Sequence, residues 1–328
     1  MPKLRKIIFC HILALGGITV CAPHAQAQAV LVPMKPLNMD REALDRLRTV
    51  PVSTQSIAEV RSQVGGASAA TSVALTAAAG LSSFKLQYHN GDHGVRVVST
   101  LKRPDGMADI RLHNANSDDP FGGYASWWLI PGAIGGEVSG SGRSNGFVDM
   151  PVPAGPADHV LALGGFSVEI SGTRTNFDVG DTQISRIEFV AKDTTTRPSI
   201  DATIRTSDDR PIRVKAQYVW IPRNMITGVK NLRNETMVRG GGPFVGGATR
   251  GDQRVRTVAD AQGQDAGADK YVIKSFNLEF TNGVHNLLNI GVHLNGERGA
   301  SGEPEAVSWQ DNNRDDPIRW QVNFYNVR

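Results

Sequence analysis

Cysteine is nearly absent from this 328-residue chain: it has two, Cys10 and Cys21, both at its start. If that start is cleaved, neither a disulfide framework nor a thiol nucleophile belongs to the remainder. Charge of one sign is also missing, with 35 Lys and Arg against 32 Asp and Glu. No basic run occurs, which leaves no electrostatic case for nucleic acid as a partner. No apolar run reaches the roughly 20 residues that a membrane-spanning helix needs. Enzyme signatures are scarce: the chain has no H-E-x-x-H pair and no phosphate-cradling glycine loop. Asp118-Asp119 and Asp315-Asp316 are adjacent carboxylates, but a glycosidase sets its pair about 5–9.5 Å apart across a substrate.

The first residues read as a secretory signal. Lys3, Arg5 and Lys6 are followed by an apolar run from Ile7 to Val20, then Ala25-Gln26-Ala27, a small-residue cleavage pattern. A lipoprotein reading of Cys21 meets the large Val20 before it. Removal near Ala27 leaves 32 basic against 32 acidic residues. The mature chain is then expected to be neutral and free of cysteine. It would be periplasmic or extracellular, and stabilised by burial.

What the chain does have is repetition. Asn114-Ala115-Asn116-Ser117-Asp118-Asp119-Pro120 returns as Arg205-Thr206-Ser207-Asp208-Asp209-Arg210-Pro211, and again as Asp311-Asn312-Asn313-Arg314-Asp315-Asp316-Pro317. Ten residues after each proline stands an aliphatic: Ile130, Ile221 and Val327. Upstream, Phe84-x-Leu86-x-Tyr88, Phe166-x-Val168-x-Ile170 and Phe276-x-Leu278-x-Phe280 alternate as strands do. The strand after each proline has one apolar parity: Gly123, Ala125 and Trp127; Val214, Ala216 and Tyr218; Trp320, Val322 and Phe324. The other parity is mostly polar, the pattern of an antiparallel sheet covered on one side.

These patterns predict an all-β protein of three related antiparallel sandwich-like modules over 81–158, 159–268 and 269–328. A short helical arm and an Ala/Gly/Ser linker over 28–80 would precede them. Met39–Arg48 has acidic residues early and basic ones late, and Ser56-x-x-Glu59 resembles a capping box. Phe147–Val152 and Arg254–Val258 are candidate extra strands. A closed three-fold body, such as a trefoil or prism, is the alternative that unequal connections disfavour. Phe84, Trp127, Phe166, Tyr218, Phe276 and Phe324 are the expected core anchors.

Three constellations could carry chemistry. Asn114, Asn116 and Asp118, with Asp311, Asn313 and Asp315, alternate hard oxygens as calcium loops do, although neither continues into a full EF-hand. The competing reading is a set of Asx turns that cap their own backbone before a proline. Asn90-Gly91-Asp92-His93 and Asn282-Gly283-Val284-His285 read as tight hairpin turns, with a cross-loop site, His93 near Asp118 or His285 near Asp315, as the alternative. Tyr124, Ser126 and Trp128, with Gln321, Asn323 and Tyr325, would line a polar sheet face on which a sugar could stack. Burial of those rings against a neighbouring sheet is the competing reading. The expected function is therefore secreted, non-catalytic binding of a glycan or other extracellular surface, with Ca²⁺ as a candidate cofactor. A structural or assembly protein, able to self-associate, is the alternative, and a hydrolase the third reading.

Overall fold

The computed structural model describes residues 53–64, 66–114, 119–171, 182–194, 196–233, 238–239, 253–254, 270–294, 304–310 and 317–328. Among them the chain is all-β, with a single 3-10 turn at Arg223–Met225. The strands come in three runs. The first holds β1 (Thr54–Val64), β2 (Gly66–Ala69), β3 (Ala79–Tyr88), β4 (Val97–Lys102), β5 (Ala108–His113) and β6 (Pro120–Leu129). The second holds β7 (Ile134–Arg143), β8 (Phe147–Pro151), β9 (His159–Ile170), β10 (Ile184–Lys192), β11 (Ser199–Thr206) and β12 (Pro211–Pro222). The third holds β13 (Ile226–Arg233), the two-residue β14 (Val238–Arg239) and β15 (Gln253–Arg254), β16 (Tyr271–Phe280), β17 (Asn289–Leu294), β18 (Pro304–Gln310) and β19 (Pro317–Val327).

Three antiparallel sheets result, and their strand orders follow one plan: β1-β6-β3-β17-β18-β15, β7-β12-β9-β4-β5-β2 and β13-β19-β16-β10-β11-β8. In each, the first and closing strands of one run pair with a hairpin donated by another run. Self-contained sandwiches over 81–158, 159–268 and 269–328 would keep each run's strands together, so the strand exchange replaces that arrangement. Edges are handled by continuation: β1 runs into β2 and β7 into β8, each pair joining the edges of two sheets.

The expected helix at Ser56–Glu59 is instead part of β1, whose Glu59 pairs with Tyr124 of β6. The alternation of Ser56, Ala58 and Val60 decides this, because their burial against the core outweighs a local capping pattern. The expected linker contains β2 and the start of β3. The expected signal peptide and the expected helix at Met39–Arg48 lie outside the described residues. Of the two candidate extra strands, Phe147–Pro151 and Gln253–Arg254 are present, while 255–258 lies outside the described residues.

The core lies where the three sheets face one another. Phe84, Phe166 and Phe276, one from each sheet, meet with ring centroids 5.1, 5.5 and 5.1 Å apart. Phe189 joins them at 5.0 Å from Phe166. Trp127 and Phe324 are fully buried as expected, while Tyr218 is partly buried against the core. Two residues before each of the three central phenylalanines the ladder shifts: at Ser82, Gly164 and Lys274. These three bulges fall at equivalent places and turn the following phenylalanine inward.

The exchange also fixes where the connections lie. Links between first and second strands, and between third and closing strands, cross from one sheet to the next at one end of the body. Backbone bonds join the crossovers there: His93 to Leu287, Ile184 to His285, and Val95 N–H to the Thr182 carbonyl at 2.8 Å. Val95, Ile184 and Leu287 are buried beneath. At the opposite end a second apolar cluster gathers Trp128, Ile130, Val219, Ile221, Tyr325 and Val327 from the ends of the closing strands. The residue before β1 meets the C-terminus beside it, with Ser53 N–H donating to the Arg328 carbonyl at 2.9 Å.

Candidate functional site

The closing-strand strip comes apart once the sheets pack. Trp128 is 6% exposed and Tyr325 5%, both inside the second apolar cluster. Each ring has a lysine above it, Lys270 at 5.5 Å and Lys274 at 5.4 Å. Burial, with Asp193 adding to it, pushes the Tyr325 phenol up to about 12. Ser126 is fully buried and hydrogen-bonded to the Ser83 hydroxyl at 2.7 Å. Asn323 donates to the Ser275 hydroxyl at 2.6 Å. Tyr124 and Asn323, half-buried, and Gln321, exposed, keep some contact with water. The strip therefore turns inward along each strand, because the end of every closing strand is covered on both faces.

The loop end gathers polar groups instead. Asn90 and Asn114 both donate amide hydrogens to the Asp119 carboxylate, one to each oxygen. His93 Nδ1 lies 3.2 Å from Asp119 Oδ2, and its Nε2 lies 2.9 Å from Asn90 Oδ1. The His93 ring stands edge-on to buried Tyr88 at 4.9 Å. Asp119 thus fastens the first-to-second crossover to the third-to-closing crossover, and stays 17% exposed while doing so. Beside it, His113 donates from Nδ1 to the Asn114 carbonyl at 3.1 Å, and burial pushes its imidazole below the ordinary value.

The third run repeats part of this. His285 Nε2 lies 3.0 Å from Asn282 Oδ1, and its ring lies 4.6 Å from Phe280. Gly91 and Gly283 supply positive φ at +129° and +136°. These turns are not hairpins: β3 and β4 lie in different sheets, as do β16 and β17, so the Asn-Gly pair makes an inter-sheet crossover. In the second run the loop is held another way. Asp208 accepts from Arg210 at 2.6 Å, and Asp209 from Arg143 at 2.6 Å, so arginines neutralise both carboxylates.

Of the candidate calcium ligands only Asn114 is described. It is 2% exposed and turned toward Asp119. Asn116, Asp118, Asp311, Asn313 and Asp315 lie outside the described residues, among which no cluster of three or more His, Cys, Asp or Glu is arranged to hold a metal ion. The sequence signal for the hub was Asp119 itself, the residue before the proline, not the alternating Asp118. Removing it is expected to cost about 1–3 kcal/mol, mostly through buried Asn114, which loses the carboxylate its amide donates to, while exposed Asn90 can turn to water. A urea melt of Asp119→Ala against wild type reads that cost.

One enzyme-like string sits in the chain. Gly142-Arg143-Ser144-Asn145-Gly146 matches G-x-S-x-G letter by letter. A nucleophile elbow needs a strand-to-helix turn, but this string joins strands β7 and β8. Ser144 is 1% exposed; its hydroxyl donates to the Asp208 carbonyl at 2.7 Å and accepts from Arg210 N–H at 2.8 Å. That hydroxyl braces the second Asx loop.

A residue that sequence reasoning missed lies at the other end. Lys102 is 7% exposed, its ammonium donating to the Ala77 carbonyl at 3.4 Å and to the Ala79 carbonyl. Gln217 grips its backbone on both sides, at 2.8 and 2.7 Å. Gly164 leaves the room, since a Cβ there would stand 2.4 Å from Lys102 Nζ. Burial alone pushes the lysine down to about 7.

No protein-family model matches the chain, and no curated protein matches it.

Proposed function

We propose that this is a secreted, non-catalytic binding protein that meets its ligand, a glycan or another polar group of an extracellular surface, with its loop end. The observation that carries this reading is the Asp119 hub. Three polar side chains from two crossovers converge on one partly exposed carboxylate, a pre-organised polar surface of the kind that recognises hydroxyl-rich ligands. Calcium belongs to the proposal as the ion that the oxygen-rich Asx loops would take. On the same reading 81–158, 159–268 and 269–328 are three related repeats, supported by the common strand order and the three equivalent bulges.

The test is retention on an array of immobilised glycans, with and without millimolar Ca²⁺. Wild-type protein is expected to be retained, and Asp119→Ala to lose retention while Tyr124→Ala keeps it. Retention that survives Asp119→Ala but disappears in Tyr124→Ala would move the site to the outer sheet face. A calcium-dependent rise in melting temperature that is absent in Asp118→Ala would add the ion. A structural or assembly role is the second reading, and the bare edge of β7 favours it.

A further inference from the structure

The three sheets place β1, β7 and β13 at equivalent edges, and these edges are treated differently. The β1 edge is covered: Ala58 bridges to Thr71, and Ser72 N–H donates to the Ile57 carbonyl at 3.0 Å. Over Glu137–Gly142, β7 pairs with β12 on one side and, among the described residues, with no backbone on the other; the Arg143 carbonyl that follows accepts from Gly146 N–H at 3.2 Å in the turn to β8. It carries no proline, lysine or bulge, the usual devices that keep an edge from pairing, and its register with β12 runs unbroken from Ile134 to Arg143.

We propose that β7 is a self-association edge, pairing antiparallel with β7 of a second copy of this chain about a two-fold axis at Gly140. That register is singled out by complementarity. It sets Glu137 opposite Arg143 of the second molecule, an opposite-charge cross-strand pair, and repeats it across the axis. It sets Ser139 opposite Ser141, and Val138 opposite Gly142. Outward residues meet outward residues, and inward residues meet inward ones, as the strand period of two requires.

The charges are partly exposed and oriented. Arg143, 61% exposed, is held by Asp209 at 2.6 Å and retains further donors. Glu137, 42% exposed, sits 3.5 Å from Lys215, with its other oxygen 3.2 Å from Gln217. The ends of the edge add apolar surface. Ile134 is 50% exposed and Phe147 58%, two of the three large exposed hydrophobic residues among those described. The same two-fold brings the Ile134 end of one β7 toward the turn that leads into Phe147 of the other, once at each end. The contact is isologous and closes at two molecules, so it makes a dimer and not a fibre.

Sedimentation velocity over a concentration series tests this, with the cysteine-free mature chain as the sample. Wild type is expected to reach twice the chain mass as concentration rises. Ser139→Lys/Ser141→Lys, which sets lysines opposite one another on an exposed face, is expected to stay monomeric with an unchanged melting temperature. Under mild oxidation Ser139→Cys/Ser141→Cys should give a covalent dimer, whereas Lys215→Cys should not. Wild type that remains monomeric up to sub-millimolar concentration would overturn the proposal. So would a dimer that persists in the double-lysine variant.

Discussion

Replacing Lys102 by methionine is expected to stabilise the protein at neutral pH. The ammonium lies among backbone carbonyls and apolar groups, and its pKa falls from 10.5 to about 7. Between those values the unfolded chain holds a proton that the folded chain does not. This group therefore lowers stability progressively as pH falls from about 10 to about 7, and no further below that. At 1.36 kcal/mol for each pH unit, the accumulated penalty at neutral pH is on the order of 4 kcal/mol. Methionine keeps most of the volume and removes the charge, while giving up two hydrogen bonds worth about 1 kcal/mol each. The Gln217 clamp survives, because it grips the backbone of residue 102. A net gain of about 2 kcal/mol follows at pH ~7, turning into a loss of about 1 kcal/mol at pH ~10, where the charge penalty has nearly gone and the two lost bonds remain. Urea melts of the two proteins at both values check it. A loss of stability at neutral pH would mean that the two carbonyl bonds outweigh the buried charge.

Phe166→Ala is expected to have the opposite sign and a similar size. Phe166 touches Phe84, Phe276 and Phe189, so its ring fills the space where all three sheets meet. Deleting it leaves a cavity that none of the three can close without moving a sheet, at a cost of about 3–5 kcal/mol. For a protein of this size that lowers the melting temperature by roughly 10 °C. Phe147→Ala, on an edge strand with its ring 58% exposed, should change the melt little. If Phe166→Ala were as mild as Phe147→Ala, the three sheets could not be sharing one packed centre.

The fold was legible where the period of two repeated. Phe84, Phe166 and Phe276 announced the central strands, and the parity of Ala125, Ala216 and Val322 announced the core face. Strand exchange was not legible, because alternation marks which face of a strand is buried and not which sheet holds it. Asn-Gly looked like a hairpin for the same reason: glycine supplies positive φ to any sharp turn, including a crossover. Trp128 and Tyr325 share a parity with Tyr124 and Gln321, so only the packing of the strand ends separates them. The hub at Asp119 was one residue from the expected Asp118. Alternating Asx residues suggested metal ligands, whereas the carboxylate next to the proline meets Asn90, His93 and Asn114. Lys102 gave no signal, since no local pattern marks a lysine whose neighbours come from distant strands of its own sheet and from β3 of another.

Three runs of strands build one core by exchange. Differential scanning calorimetry of the mature protein tests that claim most directly. The expected result is one transition in which calorimetric and van't Hoff enthalpies agree, because removing any run strips strands from two sheets. Two or three separable transitions, or a van't Hoff enthalpy well below the calorimetric one, would show independent modules and contradict it.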